Sequence, residues 1–517
     1  MFNYEKASKM NVLLLYPKMP DTFWSMKSLM EMISKETSYP PLGLLTISSL
    51  LPTDWNRKLI DLNVTTLDPA DIEWAHLIFI SAMNLQTEYV TKAIEECKKF
   101  GKTIVAGGPL FTNSHEKFPE VDHFVLNEAE ITLPLFLNDF NNGIPKKYYT
   151  TEEFADITQS PLPDWNLIDI SKYAYAIVQY SRGCPYQCDF CDVTALFGRR
   201  PRTKNANQII RELNKILVLG HPEMILFADD NLIGNRKELK LSLLPELIKW
   251  RRLNKTAPGF ATQATINLAD DEELMNLMLE AGFRHIFVGI ETTDVESLES
   301  CKKRQNLRRN MLDDVKMLQQ KGFILTAGFI VGFDSDKETI FDQLIDFIQK
   351  SGIVMATVNI LKAPPGTDLY KNLLQENRII EPFDFDENKT NIITKMDKDV
   401  LYKGYKKILD TIYKPARVFE RSHQFLSNYG TYKVENPIQK KINFNDLFTV
   451  LRVIYFAGIR GKERRYFWKL IMGTFLFNRR NIIHAYFFGA IIFQFQKLHS
   501  NFLKSYNLTL RREAENR

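Results

Sequence analysis

Two successive series of short apolar runs, each alternating with helical stretches, leave few folds open to this chain. Between residues 11 and 140 the runs NVLLLYP, RKLID, HLIFISA, KTIVAGG and HFVLN read as buried strands, and Thr87 to Phe100 has the periodicity of a surface helix. The second series is AIVQYSRG, MILFAD, GFATQAT, HIFVGIE, ILTAGFIVGF and MATVNILKA, spaced by helical stretches such as Asn207 to Leu219, Asp271 to Glu280 and Lys337 to Lys350. Such alternation builds parallel sheets whose ligands bind beyond the carboxyl ends of the strands. The expected fold is α/β. A Rossmann-like sheet would occupy residues 1–145 and a linker marked by Pro161 and Pro163 residues 146–173. A partial barrel of six β/α units would follow over 174–395, with its site at the C-terminal mouth, and a helical region over 396–517.

Directly after the first strand of the second series comes SRGCPYQCDFC, a C-x3-C-x2-C spacing of Cys184, Cys188 and Cys191. Three thiolates can hold a cubane iron–sulfur cluster, whereas an electron-transfer cluster usually takes four, so one iron would remain open to a ligand. A structural zinc site needs four ligands, usually as two separated pairs. No other Cys or His lies within 20 residues of the triplet. Only Cys97 and Cys301 remain outside it, which implies no disulfide framework and, with no apparent signal peptide, a reducing cytoplasm.

This spacing, with Phe190 just before the third cysteine, resembles the radical S-adenosylmethionine (SAM) enzymes. The resemblance implies that the open iron is chelated by SAM, that reduction yields a 5′-deoxyadenosyl radical, and that Phe190 lies on the adenine side. At the end of the second barrel strand, FADDN puts Asp229 and Asp230 where the family usually has a glycine-rich segment engaging the SAM amino group. That departure leaves two roles open, a carboxylate facing SAM and a helix N-cap by Asp230 or Asn231. By the same resemblance Gln263, Thr265 and Glu291 of VGIET meet the SAM ribose and carboxylate, while Gly328 and Gly332 of GFIVG flank adenine. Arg182, before the loop, either offsets cluster charge or caps the strand.

The N-terminal half resembles the cobalamin-binding domain that precedes many radical SAM modules, on Gly107-Gly108-Pro109 and Asn127-Glu128-Ala129-Glu130. It implies cobalamin contacts at Ser81, Asn84, Gly107, Gly108, Glu128 and Glu130. The D-x-H-x-x-G motif of members that ligate cobalt through histidine is missing, since no histidine precedes His76. Over nearly its whole length the chain resembles the cobalamin-dependent subgroup that includes the hopanoid methylases. The implied activity is methylation of an unactivated carbon through a 5′-deoxyadenosyl radical and methylcobalamin. The substrate would be small and hydrophobic, such as a polycyclic lipid, and a flavodoxin or ferredoxin would supply electrons.

The alternative keeps the same cofactors for a non-methylating oxidation, cyclisation or rearrangement. An RNA methylthiotransferase would need further N-terminal cysteines, where only Cys97 stands, and a non-enzymatic redox or cobalamin sensor is the remaining reading. From Lys441 onward the chain has 14 Lys and Arg against 4 Asp and Glu, with 16 aromatic residues. The uncharged stretch Asn481 to Gln496 is shorter than the roughly 20 apolar residues a spanning helix needs. The tail reads as a packed helical lid or as a peripheral contact with the inner membrane surface; no nucleic-acid partner is expected.

Overall fold

The computed structural model describes residues 10–380, 389–430, 432–435, 437–438 and 444–515. The N-terminal sheet contains β1 (Asn11–Tyr16), β2 (Asn56–Asp61), β3 (Leu77–Ser81), β4 (Thr103–Gly107), β5 (His123–Val125) and β6 (Tyr148–Tyr149). All its pairings are parallel, in the order β2-β1-β3-β4-β5-β6. Helices cover both faces, so β1 is apolar at every central position. Val12 and Leu14 enter one core with Phe79 and Val105, while Leu13 and Leu15 enter the other with Ile78 and Ile80. The order reverses between β1 and β3, the place where an open α/β sheet leaves a ligand crevice. The sixth strand comes from the segment read as linker, and the rest of that segment is packed too, with Trp165 buried and the Tyr173 hydroxyl donating to Asp61 Oδ2 at 3.0 Å.

The second sheet is built from β7 (Tyr175–Val178), followed by a two-residue antiparallel ribbon of β8 (Ser181–Arg182) and β9 (Arg202–Thr203), then β10 (Met224–Phe227), β11 (Gly259–Gln263), β12 (Phe283–Glu291), β13 (Ile324–Val331) and β14 (Met355–Ile360). Its order, β14-β13-β12-β11-β10-β7, is parallel throughout and makes an incomplete barrel of six strands. The helices between them follow local rules. Ala206–Leu219 begins with a capping box between Asn205 and Gln208, and Glu272–Ala281 runs from an Asp271 cap to Gly282 at φ 105°.

From Lys398 the chain is helical. Helices α1 (Lys398–Ile412) and α2 (Pro415–Asn428) pack on the barrel, where Tyr413 donates to the Ala356 carbonyl at 3.1 Å. Fully buried Arg421 donates from its terminal nitrogens to the Ile412 and Val354 carbonyls and to Gln349 Oε1. Helices α3 (Phe444–Val453), α4 (Arg464–Phe477) and α5 (Ile482–Glu515) follow, with a π-helical stretch Ile454–Arg460 extending α3. Along α5, Phe495 stacks on Phe23 at 5.7 Å and Gln494 accepts the Leu29 amide, so the last helix ties the barrel flank to the N-terminal segment. Among the described residues no helix is long and apolar enough to cross a membrane.

Candidate active site

The three cysteines lie in the loop between β8 and β9, and the ribbon closes its base through Ser181–Thr203 and Arg182–Arg202 pairs. Gly183 sits at φ 92°, and a Cβ there would lie 2.9–3.0 Å from the carbonyl oxygens of Phe197, Gly198 and Arg200. Only glycine fits that backbone cradle. The tip is pinned by Asp189, whose amide donates to the Cys301 carbonyl and whose carbonyl accepts from Leu369. All three thiols are unoxidised and partly buried, and burial raises each pKa above the ordinary thiol value.

Charge at this loop is governed by a residue the sequence reading did not single out. Lys303 Nζ contacts Glu291 Oε1 at 2.7 Å, and its positive charge reaches all three thiols. Burial alone would depress the lysine, but Glu291 and Cys188 outweigh it and hold Lys303 protonated. Gln305 Nε2 points at Cys188 Sγ from 3.7 Å. Glu291 adopts φ 65° where the β12–β13 register shifts, an unusual conformation for a non-glycine residue that turns its carboxylate back onto Lys303. Gly289 leaves the room for that turn, since a Cβ there would collide with the carboxylate.

The two aspartates of FADDN divide. Asp229 is fully buried and accepts from Ser181 N, Ser181 Oγ and Tyr180 N, so it fastens the strand end behind the cysteine loop instead of facing a ligand. Burial pushes its carboxyl up to about 7. Asp230 takes the Gly183 amide at 3.3 Å, and burial pushes it up to about 6. Neither it nor Asn231 makes a side-chain cap on the following turn. Gln263 is exposed at the end of β11, and Thr265 lies beside Asn231, to whose Oδ1 its amide donates. Phe190 meets Phe333 edge-on at 6.3 Å. Gly328 clears space for the Phe287 ring, whereas Gly332 faces Leu401 and donates to Asp336. Those contacts turn Gly332 into a packing position.

The carboxyl edge of the N-terminal sheet faces the barrel. Ser81 Oγ abuts Gly108, which has φ 90°, and a Cβ on Gly107 would strike the Val125 carbonyl. Asn84 lies in the turn after β3, beside Gln86, which joins that turn to the Pro17 carbonyl. The two glutamates, expected from the resemblance to meet cobalamin, are both engaged by arginines of the barrel. Glu128 pairs with Arg202 at 2.5 Å and accepts the Ala155 amide, while Glu130 takes both terminal nitrogens of Arg182 and the Ser160 hydroxyl. A buried carboxylate is stable only when so compensated, and these arginines bracket the cysteine loop. Arg182 also donates from Nε to Gln179 Oε1 of its own strand segment at 2.9 Å. Trp24, after β1, lies 5.3 Å from Phe287 of β12.

Several buried polar atoms around this junction have no protein partner: Asp189 Oδ1, Asn231 Nδ2, Gln305 Oε1 and Asn306 Oδ1 beside the thiols, and Asn84 Oδ1 at the sheet edge. Buried polar groups are nearly always satisfied, so each of these atoms is open to a bound polar group. Among the described residues no three His, Cys, Asp or Glu side chains gather closely enough for a single metal ion. A lone zinc would need each sulfur about 2.3 Å from one centre. Three thiols in one loop, with no fourth Cys or His beside them in sequence, are the donor set of a cubane cluster that leaves one iron open.

A profile of the Radical SAM superfamily matches residues 178–348, and one for a domain of unknown function matches 367–507. An uncharacterized methyltransferase of Synechocystis is 36% identical over 91% of this chain and 88% of its own. The hopanoid C-2 methylase of Rhodopseudomonas palustris is 32% identical over 89% of this chain and 88% of its own. Among solved structures, the cobalamin-dependent SAM radical enzyme OxsB, with aqua-cobalamin and SAM bound, superposes with a TM-score of 0.59 at 15% identity, over 98% of this chain and 81% of that one. The radical SAM methyltransferase TsrM of Kitasatospora setae, with cobalamin and a [4Fe-4S] cluster, gives 0.57 at 13% identity, over 86% and 95%.

Proposed function

Because the chain belongs to the radical SAM superfamily, among the methyltransferases that include hopanoid C-2 methylase, we propose that it methylates an unactivated carbon of a hydrophobic substrate with a [4Fe-4S] cluster, SAM and cobalamin. Such a carbon offers no lone pair, so polar substitution on SAM is closed to it. When bound, these groups supply a 5′-deoxyadenosyl radical to remove a hydrogen atom and a methyl group to replace it.

The chain's own residues bind, balance and shield. Cys184, Cys188 and Cys191 hold the cluster, and Lys303, steadied by Glu291, offsets the thiolate charge in a site where water does not screen it. Asp230, Asn231 and Gln305 offer the charged and polar contacts that the amino-acid end of SAM requires, with Phe190, Gln263 and Gly328 around its nucleoside. Ser81, Asn84, Gly107 and Gly108 would form the cobalamin edge, and the loops there carry no histidine. Trp24 and Phe287 give the substrate an apolar floor between the two edges. The name of the 32%-identical relative favours a lipid substrate, met at a membrane surface, with electrons from a flavodoxin or ferredoxin.

What carries this reading is the 32% identity to hopanoid C-2 methylase over 89% of the chain. The test is anaerobic reconstitution with iron, sulfide and cobalamin, then incubation with SAM, a reductant and a hopanoid. Methylated product, 5′-deoxyadenosine and S-adenosylhomocysteine should appear together, and Cys188→Ala should abolish all three. Formation of 5′-deoxyadenosine alone would mean that the radical serves a different reaction.

A further inference from the structure

The outer face of the C-terminal helices carries apolar side chains where a helix on the surface of a protein ordinarily carries charge. On α3 and its extension, Leu447, Leu451, Tyr455 and Ile459 recur every four residues and are all exposed. On α4 the exposed stripe is Trp468, Met472, Phe475 and Leu476, at helical spacing. The opposite stripes are already used: Val453, Ala457, Phe467 and Leu470 are buried in the core, and the Trp468 indole donates to the Gly458 carbonyl at 2.8 Å. At the corner between α4 and α5, Phe477 is 89% exposed and Ile483 75% exposed. Soluble proteins rarely leave a contiguous apolar surface of this extent without an occupant.

Its charge identifies the occupant. Between residues 447 and 483 there are eight Lys or Arg and one acid, Glu463. Arg479 and Arg480 flank Phe477 and Ile483, and both are exposed. Arg479 lies over the Phe475 ring at 4.7 Å, which keeps its guanidinium beside the apolar corner. An apolar strip rimmed by cations matches the interface of an anionic bilayer, which takes up aromatic and aliphatic side chains while its headgroups pair with Lys and Arg.

We infer that α3, α4 and the α4–α5 corner form a monotopic docking face for an anionic lipid surface. For its purpose, access to a lipid substrate, the inference rests on the proposed function; for its geometry it does not. The face is coupled to the site. Arg452 of α3 donates to the Glu31 carbonyl and Gln494 of α5 accepts the Leu29 amide, so both hold the short helix Lys27–Met32, three residues beyond Trp24. A lipid leaving the bilayer at this face would thus enter beside the Trp24–Phe287 floor.

The test is co-sedimentation of the reconstituted holoenzyme with vesicles of phosphatidylcholine alone or mixed with phosphatidylglycerol. Binding should require phosphatidylglycerol and weaken with salt. Arg479→Gln with Arg480→Gln should lower partitioning about thirtyfold, since each cation near an anionic surface is worth about fivefold. Phe477→Asp should lower it about tenfold or more while leaving the rate of 5′-deoxyadenosine formation unchanged, which shows that the variant is folded. Equal partitioning of the variants and the parent, or no partitioning on either vesicle, overturns the inference. So does a concentration-dependent dimer abolished by Phe477→Asp, which would assign the face to a second copy. Phosphatidylglycerol-dependent binding without methylation of any hopanoid would leave the docking face standing and remove the proposed substrate.

Discussion

Lys303 shows how one side chain can decide the electrostatics of a site. Its ammonium and the Glu291 carboxylate are 9% and 11% exposed and lie 2.7 Å apart, so each compensates the other's burial. Removing one partner of a buried pair leaves an uncompensated charge, at a cost of roughly 3–5 kcal/mol, whereas replacing both with neutral groups is often tolerated. Lys303→Met should therefore lower thermal stability sharply, and adding Glu291→Gln should restore most of it, as measured by calorimetry of the cluster-free protein. If the double variant is as unstable as the single, the pair is not the coupled unit its geometry indicates. The cysteines were legible in the sequence because three identical rare residues at fixed spacing carry their chemistry with them. Lys303 was not, because KKRQN reads as a solvated charge run, and only the fold of the loop after β12 turns it inward. The ion pairs of Glu128 and Glu130 were hidden for the complementary reason. Carboxylates at a strand's carboxyl end suggest a ligand, and nothing local discloses that Arg202 and Arg182, more than 50 positions away, consume them.

Among the elements, strands and helices were the most readable level, since eleven apolar runs at period two or fully buried needed only a cover on each face. The two-residue strands were not readable, being too short to show a period: Tyr148–Tyr149 exists because β5 offers a free edge, and Ser181–Arg182 and Arg202–Thr203 pair only with each other across the cysteine loop. The docking of α5 on β12 was equally hidden, because it brings the His285 ring against Phe487, 202 positions later. Burial holds both imidazoles down to about 4, and for His285 the neighbouring His484 and Arg284 add to the effect. The unfolded chain, with its ordinary histidine value near 6.5, binds more protons below that pH. The stability tied to neutral imidazoles is therefore complete above about pH 6.5 and is lost as pH falls toward 4, by at most about 3 kcal/mol per histidine. The melting temperature should drop across this window, and His484→Phe, which keeps the ring contacts with Phe425 and Tyr429, should flatten the drop. An unchanged slope in that variant would assign the acid sensitivity elsewhere.

For the whole molecule the decisive feature is how the sheet and the barrel are held face to face. Glu128–Arg202 and Glu130–Arg182 join the end of β5 to both sides of the cysteine loop, while Trp24 against Phe287 and Tyr173 against Asp61 complete the junction. Burial would raise the Glu130 carboxyl, yet its bonds to Arg182 and Ser160 bring it down to about 2, so Glu130 stays ionised at any physiological pH. A reaction divided between a radical source on one edge and a methyl source on the other depends on their spacing, where a displacement of about 1 Å can cost about a hundredfold in rate. Generating the radical depends on the barrel side alone. Glu128→Gln with Glu130→Gln should thus reduce methyl transfer by at least about tenfold while leaving 5′-deoxyadenosine formation within about twofold of the parent. The same variant should show two calorimetric transitions in place of one, because sheet and barrel each have their own core. A parallel loss of both products would place the clasp in support of the cysteine loop itself, and the ratio of methylated product to 5′-deoxyadenosine, measured in one quench, separates the two outcomes.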